Sequence, residues 1–255
     1  MTPLDHRFYT APGTLSGTSV RLGGSLAHRL ARVLRLEPGS DIALFDGSGI
    51  EVRARITTMA RGEVEAEVVS RSYPRTEPPV RLTLCQALLP SDRFDWVLEK
   101  GAEMGVTRFV PLLTERCTAK PPAPGAATER KRARWQAVAV AGSELSGRVV
   151  APEVAAPMSL SDALAALDGT AVMAWEESTA PVRPVLAGLA SQGIDSLTLL
   201  VGPAGGLTPE EARSAREAGV RVVSLGPRVM RAETAAIVFT ALCLHELGGF
   251  EPPAP

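Results

Sequence analysis

Three stretches of the chain combine residue types and spacings suited to chemistry on a bound ligand. The first is LTLLVGPAGGLTPEEA, in which an apolar run meets Gly202, Pro203, Ala204, Gly205 and Gly206 before a helix signal. Glycines let a ligand approach the main chain closely and leave backbone N–H groups open to it. The loop is neither G-x-G-x-x-G nor a phosphate loop, since no Lys-Ser/Thr follows; taken alone it is either a ligand loop or a tight strand-to-helix connection. The second is VVSLGPRVMRAETAAI, where Gly226-Pro227 opens a loop that sets Val229 and Met230 beside Arg228, Arg231 and Glu233. Apolar and charged side chains in one loop can hold an aromatic base and present charge next to it; the other reading is a plain Arg–Glu salt bridge. The third is AVAGSELSGRVV, with Glu144 and Arg148 an i,i+4 pair near Gly147. That pair is either functional or an ordinary helix-surface pair.

These stretches need a scaffold, and the pattern from Val80 onward supplies one. LTLCQALL (82–89), RFVPLLT, AVMAWE (171–176), LTLLVG (197–202) and RVVSLG (221–226) read as buried strands. Between them lie a helix capped at Asp92, with Asp95 three residues on, that runs to Met104 with Gly105 after it, and a helical segment 129–145. A further helix opens at the capping box Thr208-Pro209-Glu210-Glu211 and runs to Ala218, and the last spans Ala232 to Leu247. Alternating strands and helices predict a mostly parallel α/β sheet covered on both faces. Ligands of such sheets bind at the carboxyl ends of the strands, where the first two loops lie.

The first 72 residues are β-rich instead. SDIALFDGSGIEVRARITTM reads as two strands about the turn Asp46-Gly47-Ser48-Gly49, GEVEAEVVSR alternates again, and a short helix is expected from Ser25 to Leu34. Short strands at this spacing predict a small barrel. The Pro-rich SYPRTEPPV reads as a linker. The expected division is a barrel over 1–72, a linker over 73–80, an α/β domain over 81–250 and a tail over 251–255.

Composition excludes several classes. Hydrophobic residues make up 45% and charged residues 22% of 255, ordinary values for a globular chain. The three cysteines, Cys85, Cys117 and Cys243, form no C-x-x-C, so neither a disulfide framework nor a metal site is expected. The first residues hold no apolar stretch of a signal peptide, and no run is long enough to span a bilayer, so a cytoplasmic protein is expected. Net charge is −1, yet Arg7, Arg21, Arg29, Arg32 and Arg35 stand against only Asp5 in residues 1–36. A second basic cluster, Arg116, Lys120, Arg130, Lys131, Arg132 and Arg134, stands against Glu129 in residues 116–134. Such clusters are either phosphate contacts or solvated faces.

Together and in order, ARWQAVAVAGSELSGR, LVGPAGGLTPEE and LGPRVMRAETAAI resemble the signatures of the RsmE family, which methylates N3 of a uridine in 16S ribosomal RNA. The similarity extends to HRLARVLRLEPGSDIALFDGSG, to LPSDRFDWVLEKGAEMGVTRFVPLLTERC and to His6-Arg7-Phe8, and so covers nearly the whole chain. The resemblance implies a PUA-like RNA-binding barrel followed by a SPOUT domain, a parallel sheet whose end threads into a trefoil knot. It also implies a homodimer acting on 16S ribosomal RNA or the small ribosomal subunit, with S-adenosylmethionine as methyl donor. The donor would sit among Trp175, Glu176, Gly202, Pro203, Ala204, Gly205, Gly206, Leu225, Gly226, Val229, Met230 and Arg231. Two residues depart from the family pattern: Ala204 replaces the acid of GPEGG, and Leu145 replaces the Gln of an EQSGR-like motif.

Uridine N3 carries a proton at neutral pH, so transfer needs a base or a cation that stabilises the imide anion. Arg231 and Arg148 are the candidate cations and Glu144 and Glu233 the candidate bases; Glu233 has the alternative task of holding Arg231. His28 is a weaker candidate base. Arg7, Arg29, Arg32 and Arg35 are the expected contacts to the RNA backbone. The competing functions are a SPOUT methyltransferase for another RNA site and a non-catalytic RNA-binding or ribosome-assembly protein in which Ala204 marks a decayed site.

Overall fold

The computed structural model of the chain describes residues 6–60, 62–120 and 125–252. Asp5 and positions 253–255 of the expected tail lie outside the described residues. Two compact units emerge, one formed by Met1–Glu77 with Ser143–Ala151, the other by Pro78–Gly142 with Pro152–Pro255.

In the first unit, β1 (Arg7–Tyr9), β2 (Ser19–Gly23), β3 (Asp41–Phe45), β4 (Glu51–Ala60) and β5 (Glu63–Ser72) form a sheet in the order β1-β3-β4-β5-β2. β1 runs parallel to β3 and the other pairings are antiparallel. Along β4, Val52, Ala54 and Ile56 are buried while Arg53, Arg55 and Thr57 face solvent, the two-residue period of a strand with one wet face. The buried side packs with Phe8, Leu22, Leu30, Leu44 and Val64. The expected helix is present but irregular: α1 (Gly24–His28) passes into a π-helical turn, Arg29–Val33. Arg35 follows in the left-handed region at φ 54°.

The second unit runs through β6 (Arg81–Ala87), α2 (Ser91–Met104), β7 (Arg108–Leu113), α3 (Ala126–Ser146, which passes into the first unit at Ser143), β8 (Glu153–Val154), β9 (Met158–Ser159) and α4 (Leu160–Ala165). It continues through β10 (Thr170–Ala174), α5 (Val182–Gln192), β11 (Ser196–Val201), α6 (Pro209–Glu217), β12 (Arg221–Val223) and α7 (Ala232–Glu246). Its sheet is wholly parallel, in the order β12-β10-β11-β6-β7-β8, with β9 also on β7. The central strands read as near-continuous apolar runs because both faces are covered. One core holds Leu84, Phe94, Phe109, Trp135, Leu199 and Phe239, and the other Met173, Leu200, Ala212 and Val222.

One expectation needs adjusting. Asp92 does not cap α2; the N-cap is Pro90, without a side-chain cap bond, and Asp92 lies in the first turn. Gly105 does end that helix in the left-handed conformation. Thr208 caps α6 as a complete capping box, its hydroxyl accepting from Glu211 N–H and the Glu211 carboxylate accepting from Thr208 N–H. Among the described residues no helix is long and apolar enough to cross a membrane.

Candidate functional site

The two glycine-bearing loops meet at the carboxyl ends of β10, β11 and β12. Between them opens a cleft of about 580 Å3. Its floor is Ala174, Trp175 and Glu176 at the end of β10. One wall is Gly202, Pro203, Ala204 and Gly206 after β11, and the other is Leu225 to Met230 after β12. Ala232 and Ala235, in the first turns of α7, close the far side without adding bulk.

Close packing explains the glycines. A Cβ on Gly202 would stand 2.8 Å from Leu207 Cγ, a buried neighbour. Gly206 has φ +74°. Gly205 turns its α-carbon toward Arg116, where a Cβ would be 3.2 Å from Arg116 Cβ, and so does not line the cleft. Within the described residues the N–H groups of Ala204, Val229 and Met230, which line the cleft, make no hydrogen bond, so both walls hold unused backbone donors. Gly206 N–H is already used, donating to Pro203 O at 3.0 Å.

Cations gather at this end of the sheet. Arg183 and Arg228 line the cleft and are exposed. Arg231, the N-cap of α7, is exposed beside it but does not line it. Glu233 turns away: its Oε1 lies 3.7 Å from Arg93 Nε on α2, and its buried Oε2 has no hydrogen-bond partner. The expected Glu233–Arg231 pairing is therefore replaced by Glu233–Arg93.

Glu144 and Arg148 belong to the first unit, where both are engaged. The Glu144 carboxylate accepts from Tyr9 N–H at 3.0 Å and from Arg29 Nη1 at 2.7 Å. Arg148, 2% exposed, donates to Glu77, which corrects its reading as an available cation: its charge is enclosed and paired. The same holds for Arg7 as an RNA contact. It is 4% exposed and donates to Glu51 at 2.6 Å, to Ser143 O at 2.9 Å and to Arg148 O. Arg29 is half-exposed, stacks over Phe8 and pairs with Glu144. Arg32 and Arg35 are exposed and make no ion pair among the described residues.

Sequence reasoning missed Arg93 and Arg183 at this end of the sheet, and placed Arg116 only within a basic cluster, not beside the glycine loop. Arg116 Nη1 donates to Gly205 O at 3.3 Å. The signal for it was its place just beyond the carboxyl end of a parallel strand, β7, where such sheets concentrate function.

Comparison with known proteins agrees with this architecture. Residues 76–244 match the RNA methyltransferase domain family, and residues 22–69 match the RNA methyltransferase PUA domain. Ribosomal RNA small subunit methyltransferase E of Synechocystis is 33% identical over 92% of this chain and 76% of that protein. The Mycobacterium bovis protein of the same name is 34% identical over 90% of this chain and 86% of its own length. The crystal structure of the Neisseria gonorrhoeae enzyme of that name, bound to S-adenosylmethionine, superposes with a TM-score of 0.83 at 31% identity, over 93% of this chain and 95% of that one. A methyltransferase structure from Legionella pneumophila, also with S-adenosylmethionine, gives a TM-score of 0.86 at 28% identity, over 94% and 96% of the two chains. A PUA domain, a parallel sheet with two glycine-bearing loops meeting at its carboxyl edge, and these likenesses place the chain in the ribosomal RNA small subunit methyltransferase E family of RNA methyltransferases.

Proposed function

We propose that this chain is a cytoplasmic enzyme that methylates N3 of a uridine in 16S ribosomal RNA, with S-adenosylmethionine as donor. The observation that carries the reading is the cleft between the Gly202–Gly206 loop and the Leu225–Met230 segment. Its residues fit the donor: the volume of about 580 Å3 lies in the range of small-molecule sites, and residues of both walls carry backbone N–H groups without a partner among the described residues. The apolar faces of Trp175, Leu225, Val229 and Met230 suit an adenine ring, and Glu176 a ribose or an amino group. Bound there, the donor would supply an electrophilic methyl group.

The chain's own residues then have three tasks. The two loops align the reacting centres, which accounts for much of such a rate enhancement. Arg231, at the positive end of α7, stabilises negative charge on the uracil as N3 loses its proton. Arg93 holds Glu233 at the base of that helix. Residues 1–72 act as the RNA-binding barrel, 73–80 joins it to the catalytic domain 81–250, and Arg29, Arg32 and Arg35 meet the RNA backbone. Ala204 keeps the main-chain donors of its loop, so donor binding survives the loss of the family's acid at that position.

The reading extends to a homodimer and to a trefoil knot made by the segment after β12. Support for the dimer comes from α7, whose outer face carries Ile237, Val238 and the exposed Leu242. A helix apolar around its circumference wants a further partner.

The test is methylation of small subunits from a strain lacking the modification, read by mass spectrometry of nuclease digests. The reading expects 3-methyluridine at one position, with loss of at least tenfold in kcat for Arg231→Ala. Methyl groups on another base or atom, or none on subunits and free RNA alike, would overturn it.

A further inference from the structure

Gln86 lies at the end of β6, 1% exposed, and does not line the cleft. Its Nε2 donates to Gly202 O at 3.1 Å and to Ala87 O at 2.9 Å. Only the NH2 side of the amide can face two carbonyls, so its orientation is dictated by its surroundings. Its Oε1 is buried and accepts nothing. A buried, unsatisfied acceptor costs stability, and an apolar residue of the same size would avoid that cost only by leaving the Gly202 and Ala87 carbonyls without this donor. Something other than packing therefore accounts for an amide here.

The sheet order shows what it holds. β11 lies between β10 and β6, and the loop Gly202–Leu207 leaves β11. From the β6 side Gln86 grips the first carbonyl of that loop. From the β10 side Trp175 Nε1 donates to Leu207 O at 3.2 Å, gripping the last. Pro203, next to Gly202, has a fixed φ and no N–H. Fixing the Gly202 carbonyl thus leaves only the Pro203 ψ to set the direction in which the following N–H of Ala204 points. We infer that Gln86 is a positioning residue for the methyl donor, holding the Gly202–Gly206 loop in its binding conformation through the Gly202 carbonyl. The inference rests on the proposal that this cleft takes S-adenosylmethionine.

Two variants test it in the full-length protein, with S-adenosylhomocysteine as calorimetric probe and thermal melts as the check on folding. Gln86→Glu places a carboxylate against two carbonyls, so donation to Gly202 is lost while the group is charged and returns when it takes up a proton. Burial among acceptors raises the pKa of such a carboxyl, and the recovery should fall between about pH 5 and 7. The expected result is binding about tenfold or more weaker than wild type at neutral pH, with the gap narrowing as pH falls. Gln86→Leu cannot donate at any pH and should bind weakly throughout, with a raised KM for the donor and an unchanged KM for RNA. A role confined to packing predicts lower melting temperatures with wild-type donor affinity, and that result for folded Gln86→Leu overturns the inference, as does a pH-independent ratio of affinities for folded Gln86→Glu. Failure of the wild-type protein to bind the probe would sink the donor-site reading and this inference with it, and so is distinguishable from failure of Gln86 alone.

Discussion

Gly206 and Glu176 are in such close contact that a Cβ on the glycine would stand 1.9 Å from the glutamate Oε1. The loop after β11 thus presses its backbone onto a carboxylate at the end of the neighbouring strand. Gly206→Ala meets two obstacles, a φ of +74° and that carboxylate. The backbone conformation costs about 1 kcal/mol, and the displaced Glu176 leaves its place in the cleft. Chemical denaturation should show a loss of that order, and titration with S-adenosylmethionine a fall in affinity of about tenfold.

Arg7 should behave as a core residue. Arg7→Ala would leave Glu51 and the carbonyls of Ser143 and Arg148 without their donor, and removing one partner of a buried pair costs about 3–5 kcal/mol. Urea denaturation should show a loss of that size. A loss within about 0.5 kcal/mol, typical of surface substitutions, would refute the buried assignment.

Arg32→Ala and Arg35→Ala should leave stability nearly unchanged and weaken RNA binding. Each lost phosphate contact lowers the slope of log K against log salt by about 0.7–0.9. Filter binding over a salt series measures it; unchanged slopes in both variants would remove the π-helical turn and its exit from the RNA surface.

Burial pushes the Cys85 thiol up to about 12 and the Cys243 thiol higher still. A raised thiol pKa means that the reactive thiolate is scarce until pH approaches that value. Both cysteines should therefore resist alkylation in native protein at about pH 8, leaving the half-buried Cys117 as the site labelled first. Peptide mapping after timed iodoacetamide treatment reads the order, and early labelling of Cys243 would contradict the packing of α7.

Leu242→Glu should convert a dimer to a monomer with little loss of secondary structure, since Leu242 is 38% exposed within one chain. Sedimentation velocity across a concentration series distinguishes the two species. A wild-type protein that is monomeric throughout would remove the dimer from the proposal.

Local signals foretold local structure. The Thr208 capping box, the left-handed Gly105 and the alternation along β4 each rest on interactions within a few residues, and the sequence states them directly. The runs 197–202 and 221–226 showed where the strands end, and hence where the two loops meet. What was not legible depends on pairings across the chain. Glu144 and Arg148 look like a helix-surface pair, yet they turn to Tyr9, Arg29 and Glu77. Arg7 reads as part of a basic cluster because nothing nearby in sequence announces Glu51 or the carbonyl of Ser143. Glu233 meets Arg93 across the packing of α7 on α2, a contact set by tertiary fold alone.

The first compact unit is discontinuous, taking in Ser143–Ala151 from beyond much of the second. During synthesis the strands Arg7–Ser72 leave the ribosome before two of the acceptors of Arg7 exist, because Ser143 and Arg148 are translated later. Domains ordinarily fold in the order in which they emerge. Here the Arg7 guanidinium has Glu51 beside it from the start but lacks two of its acceptors until residue 148 has been added. No single cut of the chain can release that unit whole, and a gene fragment ending at the proline-rich stretch would encode a sheet missing the segment whose carbonyls complete the hydrogen bonding of its buried guanidinium.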